Sequence, residues 1–161
     1  MFFKRLIVSF LATKTKKAVD AWSKKSIKNQ DKIFKKLIAT LAKTKYGKDI
    51  GAHKEMCLVD FQKKSPINSY EDLSPYIKQI SKGEKNVLWT GKPAYFAKTS
   101  GTTSGVKFIP LTVEMLKNQI NSSKEALLLY AFYQNKFDAI NGKMMFIQGS
   151  PVLKKHGQIK T

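Results

Sequence analysis

The chain has 161 residues, of which 42% are hydrophobic and 25% charged, enough for one ordinary domain with a core and too apolar for a disordered chain. A single cysteine, Cys57, excludes an internal disulfide and suits a small buried side chain in a reducing compartment. With His53 and His156 it gives no metal-ligand spacing, so no metal site is expected. The net charge of +19 is uneven, with thirteen lysines and Arg5 against Asp20 and Asp31 in residues 1–48.

Such a balance suits nucleic acid or an anionic membrane. The charges, however, are almost all lysine, with no interleaved aromatic pattern. Lysine also solvates a helix face cheaply, whereas arginine is preferred where phosphate is recognised. A solvated basic face is the simpler reading.

Residues 1–12 begin with basic residues and carry a short apolar run. The run is too short to span a bilayer and lacks a signal-peptide cleavage site. Phe3, Leu6, Ile7, Phe10 and Leu11 recur at three- and four-residue spacing, which predicts an amphipathic helix. Such a helix packs on its own protein or lies on a membrane. We treat residues 1–28 as a basic amphipathic region, and residues 29–161 as a partial domain.

A second helix is predicted over residues 29–46. Ile33, Phe34, Leu37, Ile38 and Leu41 form its apolar stripe, Asn29 is its N-cap, and Gly47 is its stop. A loop to Phe61 follows. Ser69 stands three before Asp72, a near capping box, and Ser74-Pro75 is a second helix-start signal. Gly83 closes that turn. Val87-Leu88-Trp89 reads as a short strand, and Gly91, Lys92 and Pro93 lead into a strand at Tyr95-Phe96-Ala97.

The next stretch organises the chain. Thr99, Ser100, Thr102, Thr103 and Ser104 place five hydroxyls in six positions, with Gly101 inside the run and Gly105 after it. Lys107 to Leu111 reads as the returning strand. Glycine allows positive φ and close approach to a ligand. Successive backbone N–H groups in such a turn form an anion site. A tight hairpin accounts for part of this composition, since these are ordinary turn residues, but a two- to five-residue turn does not need five hydroxyls. The spacing excludes a P-loop, because three residues rather than four separate Gly101 from Gly105, and Val106 stands where lysine belongs. It also excludes the dinucleotide fingerprint, which needs a glycine two after Gly101.

After the loop, Thr112 is the predicted N-cap of a helix over residues 113–134, with Glu114 in its first turn. Met115, Leu116, Ile120, Leu127 and Ala131 mark its stripe. Residues 127–133 are apolar almost all round, so that end is expected to be buried. Lys143 to Gln148 suits a strand buried on both faces, ended by Gly149-Ser150-Pro151. The tail to Thr161 shows no periodicity. Alternating helices and short strands predict an α/β fold.

The segment from Thr99 to Gly105, followed by Lys107, resembles the first core motif of adenylate-forming enzymes, the superfamily of acyl-CoA synthetases and firefly luciferase. The continuation Lys107-Phe108-Ile109-Pro110-Leu111-Thr112 is similar to the auxin-responsive acyl-acid amido synthetase family in a bacterial-looking form. Acyl-CoA synthetases usually carry Pro-Lys-Gly where this chain has Val106-Lys107-Phe108. The segment from Tyr70 to Ile77, with Gly83-Glu84, resembles a second, correctly ordered segment of that family.

The resemblance implies the amino-terminal part of an adenylate-forming large domain, with helices on short strands and an incomplete sheet. It implies an ATP-dependent ligase that converts a small carboxylic acid to an acyl-adenylate and joins it to an amine, an amino acid by preference. Thr99, Ser100, Gly101, Thr102, Thr103, Ser104 and Gly105 would hold ATP phosphates, Lys107 would neutralise developing charge, and Mg2+ would bridge the phosphates. The helix after the loop would border the acyl pocket, near Tyr130 and Tyr133, although core packing explains both tyrosines. A cytoplasmic protein without nucleic-acid partner or transmembrane segment is expected. The adenine, ribose and metal motifs of such enzymes are absent from these residues. The chain is therefore expected to be an amino-terminal fragment or truncated product, inactive alone. Two other classes remain: a basic protein binding nucleic acid or membrane, and an anion-binding module without chemistry.

Overall fold

A computed structural model describes residues 2–101, 105–137, 143, 145 and 152–161. They form two compact units, one of Met1–Asn29 with Leu116–Ser150, the other of Gln30–Met115 with Pro151–Thr161. The architecture is mixed helix and strand, as the alternation of elements predicts, with an incomplete sheet, as the family resemblance implies.

In the first unit α1 spans Phe2–Ser23. Its buried residues are Val8 and Ala12, not the predicted apolar stripe, which is exposed from Phe3 to Leu11. Lys16 pairs with Asp20 at 2.6 Å and lies 6.0 and 5.8 Å from the ring centres of Phe132 and Tyr133. α6, Val113–Tyr133, begins at the predicted cap, where Thr112 Oγ1 accepts from Met115 N–H at 3.1 Å. Its end departs from the expectation of all-round burial. Ala131 is buried, whereas Leu127, Tyr130 and Tyr133 are exposed. The helix uses one narrow side here, so an apolar circumference does not become a buried one.

α2 covers Ser26–Leu41, three residues earlier than predicted. Asn29 is therefore inside the helix, and its side chain donates to Trp22 O across the α1–α2 turn at 3.1 Å. Gly47 is not a helix stop. It is buried within α3, Lys45–Asp49, capped by Thr44 Oγ1, which accepts from Gly47 N–H at 2.9 Å. The expected loop also contains α4, Leu58–Lys64. Phe34 of α2 meets Phe61 of α4 edge-on at 6.0 Å. Cys57 is exposed rather than buried and caps α4, its sulfur accepting from Asp60 N–H at 3.4 Å.

α5, Tyr70–Ser81, starts at a complete capping box. Ser69 Oγ accepts from Asp72 N–H, and Asp72 Oδ2 accepts from Ser69 N–H at 2.8 Å. Ser74-Pro75 starts no second helix; Pro75 sits inside α5, whose start is already satisfied one turn earlier. The hydrogen bond from the Ser69 hydroxyl, then that from its N–H, holds the Asp72 carboxyl below its usual range. A lowered carboxyl contributes stability above the ordinary carboxylate range, and that contribution disappears as pH falls through it. Ser69→Ala is expected to cost about 1 kcal/mol of stability at neutral pH. Urea unfolding followed by far-UV circular dichroism should show the gap between wild type and variant narrowing, but not closing, as the solution is acidified, because the bond from Asp72 N–H to Ser69 Oγ does not titrate.

Residues 87–89 form no strand. Asn86 takes φ +57°, Asn86 N–H donates to Gly91 O, and Gly91 N–H donates to Asn86 Oδ1, so the segment closes on itself. Tyr46 N–H donates to Val87 O at 3.0 Å. Among the described residues the strands are β1, Tyr95–Lys98, and β2, Phe108–Leu111, then β3, Lys155–His156, and β4, Ile159–Lys160. The β3–β4 hairpin occupies the tail, which sequence periodicity left without structure. The order is β2-β1-β4-β3, with β1 antiparallel to β2 and parallel to β4. The predicted strand over residues 143–148 lies outside the described residues apart from Lys143 and Met145, as does the Gly149-Ser150-Pro151 stop. The core of the second unit joins Ile77 and Ile80 of α5 to Val87, Phe96 and Ile159, with Tyr70, Leu73, Tyr76, Leu88 and Phe108 around it.

Candidate functional site

The hydroxyl- and glycine-rich run connects two paired strands. Tyr95 stands opposite Leu111, and Lys98 opposite Phe108. The tight-hairpin reading is therefore right about the pairing, but residues 99–107 make a longer connection than a tight turn. Two hydrogen bonds close its neck. Thr99 N–H donates to Lys107 O at 3.0 Å, and Lys107 N–H donates to Thr99 Oγ1 at 3.1 Å. In this bond the Thr99 hydroxyl is the acceptor, so its O–H is not spent on it.

Gly101 and Gly105 have φ of +74° and +79°. A side chain on Gly101 would also meet Gly105 C and Val106 N at 3.1 Å. Glycine at position 101 therefore serves both backbone conformation and close approach. Ser100 is exposed beside it. Thr102, Thr103 and Ser104 lie outside the described residues.

Lys107 is half-buried and held from α5. Its ammonium lies 5.3 Å from the Tyr70 ring centre and 3.9 Å from Glu71 Oε1. Glu71 is well exposed, so this ion pair orients more than it stabilises. Phe108 N–H donates to Tyr70 Oη at 2.9 Å. The segment that begins at Tyr70 thus buttresses the returning strand of the loop. Sequence reading matched both motifs without showing that they touch.

It also missed His156. That ring stacks on Phe108, 3.7 Å between centres and 14° between planes, and meets Phe96 edge-on at 5.7 Å. Phe96 and Phe108 meet edge-on at 6.1 Å. The three rings make an aromatic base for the hairpin. No local pattern signals this, because His156 is in a two-residue strand far along the chain.

The chain is mixed helix and strand, with the hydroxyl- and glycine-rich run joining two paired strands. The GH3 family N-terminal domain matches residues 15–161, and the chain belongs to the GH3 family. It is 32% identical over 133 residues to a jasmonoyl–L-amino acid synthetase of Nicotiana attenuata, covering 81% of this chain and 22% of that protein. It is 36% identical over 104 residues to an indole-3-acetic acid-amido synthetase of Arabidopsis thaliana, covering 63% of this chain and 17% of that protein. The chain therefore spans about a fifth of the length of these relatives.

Proposed function

We propose that this chain supplies the ATP phosphate-binding hairpin of an acyl-acid amido synthetase. In the proposed reaction a carboxylate oxygen attacks the α-phosphorus of ATP and pyrophosphate leaves. An amine, by preference that of an amino acid, then displaces AMP from the acyl-adenylate to give an amide. The observation that carries the reading is the braced neck at Thr99 and Lys107, with Gly101 and Gly105 at positive φ beside it.

Each part has a physical task. Attack brings two anions together and develops charge on the leaving pyrophosphate. Fixed donors and a cation near that charge lower the barrier. The O–H groups of Thr99 and Ser100 and the N–H groups around Gly101 and Gly105 would donate to phosphate oxygens. Thr102, Thr103 and Ser104 would add their hydroxyls to the same donor set. The Lys107 ammonium would exchange its weak pairing with Glu71 for a phosphate oxygen. Relatives named as a jasmonoyl–L-amino acid synthetase and an indole-3-acetic acid-amido synthetase support the ligase class.

Magnesium is expected with ATP. Among the described residues, no group of three or more His, Cys, Asp or Glu could hold a metal ion. Glu71, the acid near the loop, already faces Lys107. These residues do not fit a protein-held magnesium site. An ion carried mainly by phosphate oxygens and water needs none.

The proposal is tested by titrating ATP, and separately pyrophosphate, into the chain with calorimetry. Saturable binding of both is expected, with no ATP–pyrophosphate exchange by this stretch alone. Absence of binding at millimolar ligand would overturn the assignment of the loop.

A further inference from the structure

We propose that α1 docks on an anionic lipid surface through the face bearing Phe3, Leu6, Ile7 and Phe10. These side chains are 74%, 50%, 44% and 69% exposed. Their three- and four-residue spacing puts them along one side of the helix. The side α1 buries is a different one, carrying Val8 and Ala12. At about 100° per residue, Ala12 lies roughly opposite Phe3. The exposed stripe is therefore not the unit's own packing face.

Charge selects the occupant. Lys4, Arg5, Lys14 and Lys17 are exposed on the same helix. The first acid after them is Asp20, and Lys16 occupies it at 2.6 Å. A second copy of this face would bring like charges together. A nucleic acid would use the cations but leave four large apolar side chains in water. An anionic bilayer satisfies both, because apolar side chains enter the acyl boundary while lysine and arginine reach the headgroups. No helix among the described residues is long and apolar enough to cross a membrane, so the association lies in the interface.

The matched segment begins at residue 15, after the stripe. The exposed apolar residues of α6 fall inside that segment.

The test is sedimentation of the chain with phosphatidylcholine vesicles, with and without phosphatidylserine. The chain should pellet with the anionic vesicles, with release by added salt. Phe10→Ser should lower partitioning about tenfold, since it removes one large apolar group that would enter the acyl boundary. Phe10 is exposed, so the variant should keep the wild-type circular dichroism. Ile67→Ser, on a fully exposed residue outside the helix, should bind like the wild type. Failure to pellet, equal pelleting with neutral vesicles, or unchanged binding by Phe10→Ser would overturn the proposal. An equal loss in Ile67→Ser would also overturn it. So would lipid-free self-association abolished by Phe10→Ser, which would assign the face to a second copy.

Discussion

Gly101→Val should remove ATP and pyrophosphate binding while leaving the helices intact. Gly101 has φ +74°, a region in which a β-branched residue is a genuine outlier. Left-handed backbone alone costs about 1–2 kcal/mol for an L-residue. The added Cβ would also sit 3.1 Å from Gly105 C, Val106 N and Val106 Cγ2. Two of those three atoms are backbone, so relief requires the loop itself to move. About 1.4 kcal/mol is one factor of ten in affinity, and a loss of at least about tenfold is expected by calorimetry. The neck bonds between Thr99 and Lys107 lie on the strand side of the glycine, so the β1–β2 pairing should survive. Gly91→Ala is the matched control. Gly91 also has positive φ, at +81°, but a Cβ there meets nothing within 4 Å, and it lies outside the loop. If Gly101→Val binds both ligands like the wild type, the loop is a connection rather than a phosphate site.

The contrast between these glycines shows what is legible in a sequence. The hydroxyl loop can be read because composition, glycine spacing and flanking apolar runs all occur within a few residues. The Ser69–Asp72 box and the Thr112 cap can be read for the same reason: each partner is three residues from the other. Contacts at long separation are not legible. α3 and α4 have five and seven residues, too few to show a periodic face. α3 is tied down elsewhere, by Asn68 Nδ2 donating to Tyr46 Oη at 2.7 Å and Tyr76 Oη donating to Asp49 at 2.8 Å. The β3–β4 hairpin is similar. Its strands have two residues each, and Gln158 N–H donates to Ser81 O at 2.8 Å to fix it on the end of α5. Within the site, the loop is legible, but its support by Tyr70 and His156 is not. Apolar patterning also has a limit, since the α1 stripe is real while the buried face is another one.

Gly47→Ala should produce the largest loss of stability among the glycine replacements. Read from sequence, Gly47 follows a helical stripe and lysines, as a C-terminal glycine does. In the fold it stands inside α3 without positive φ, so backbone freedom is not the reason for glycine. The reason is space. A Cβ at this position would lie 1.9 Å from Leu41 O and 2.6 Å from Leu41 C. Both are main-chain atoms at the end of α2, which no side-chain rotation can relieve. α3 would have to move away from α2, breaking the Thr44 cap and the Lys45 and Tyr46 N–H bonds to Asn86 O and Val87 O. Thr44 is fully buried, so its hydroxyl would lose a partner where water cannot replace it. Overpacking with a backbone shift, together with those lost bonds, should cost about 3 kcal/mol or more. Gly91→Ala, strained in φ but free of contacts, should cost only about 1 kcal/mol. Urea unfolding of both variants checks the order. Gly47→Ala falling at or below Gly91→Ala would mean that close approach to the end of α2 does not set the residue at position 47.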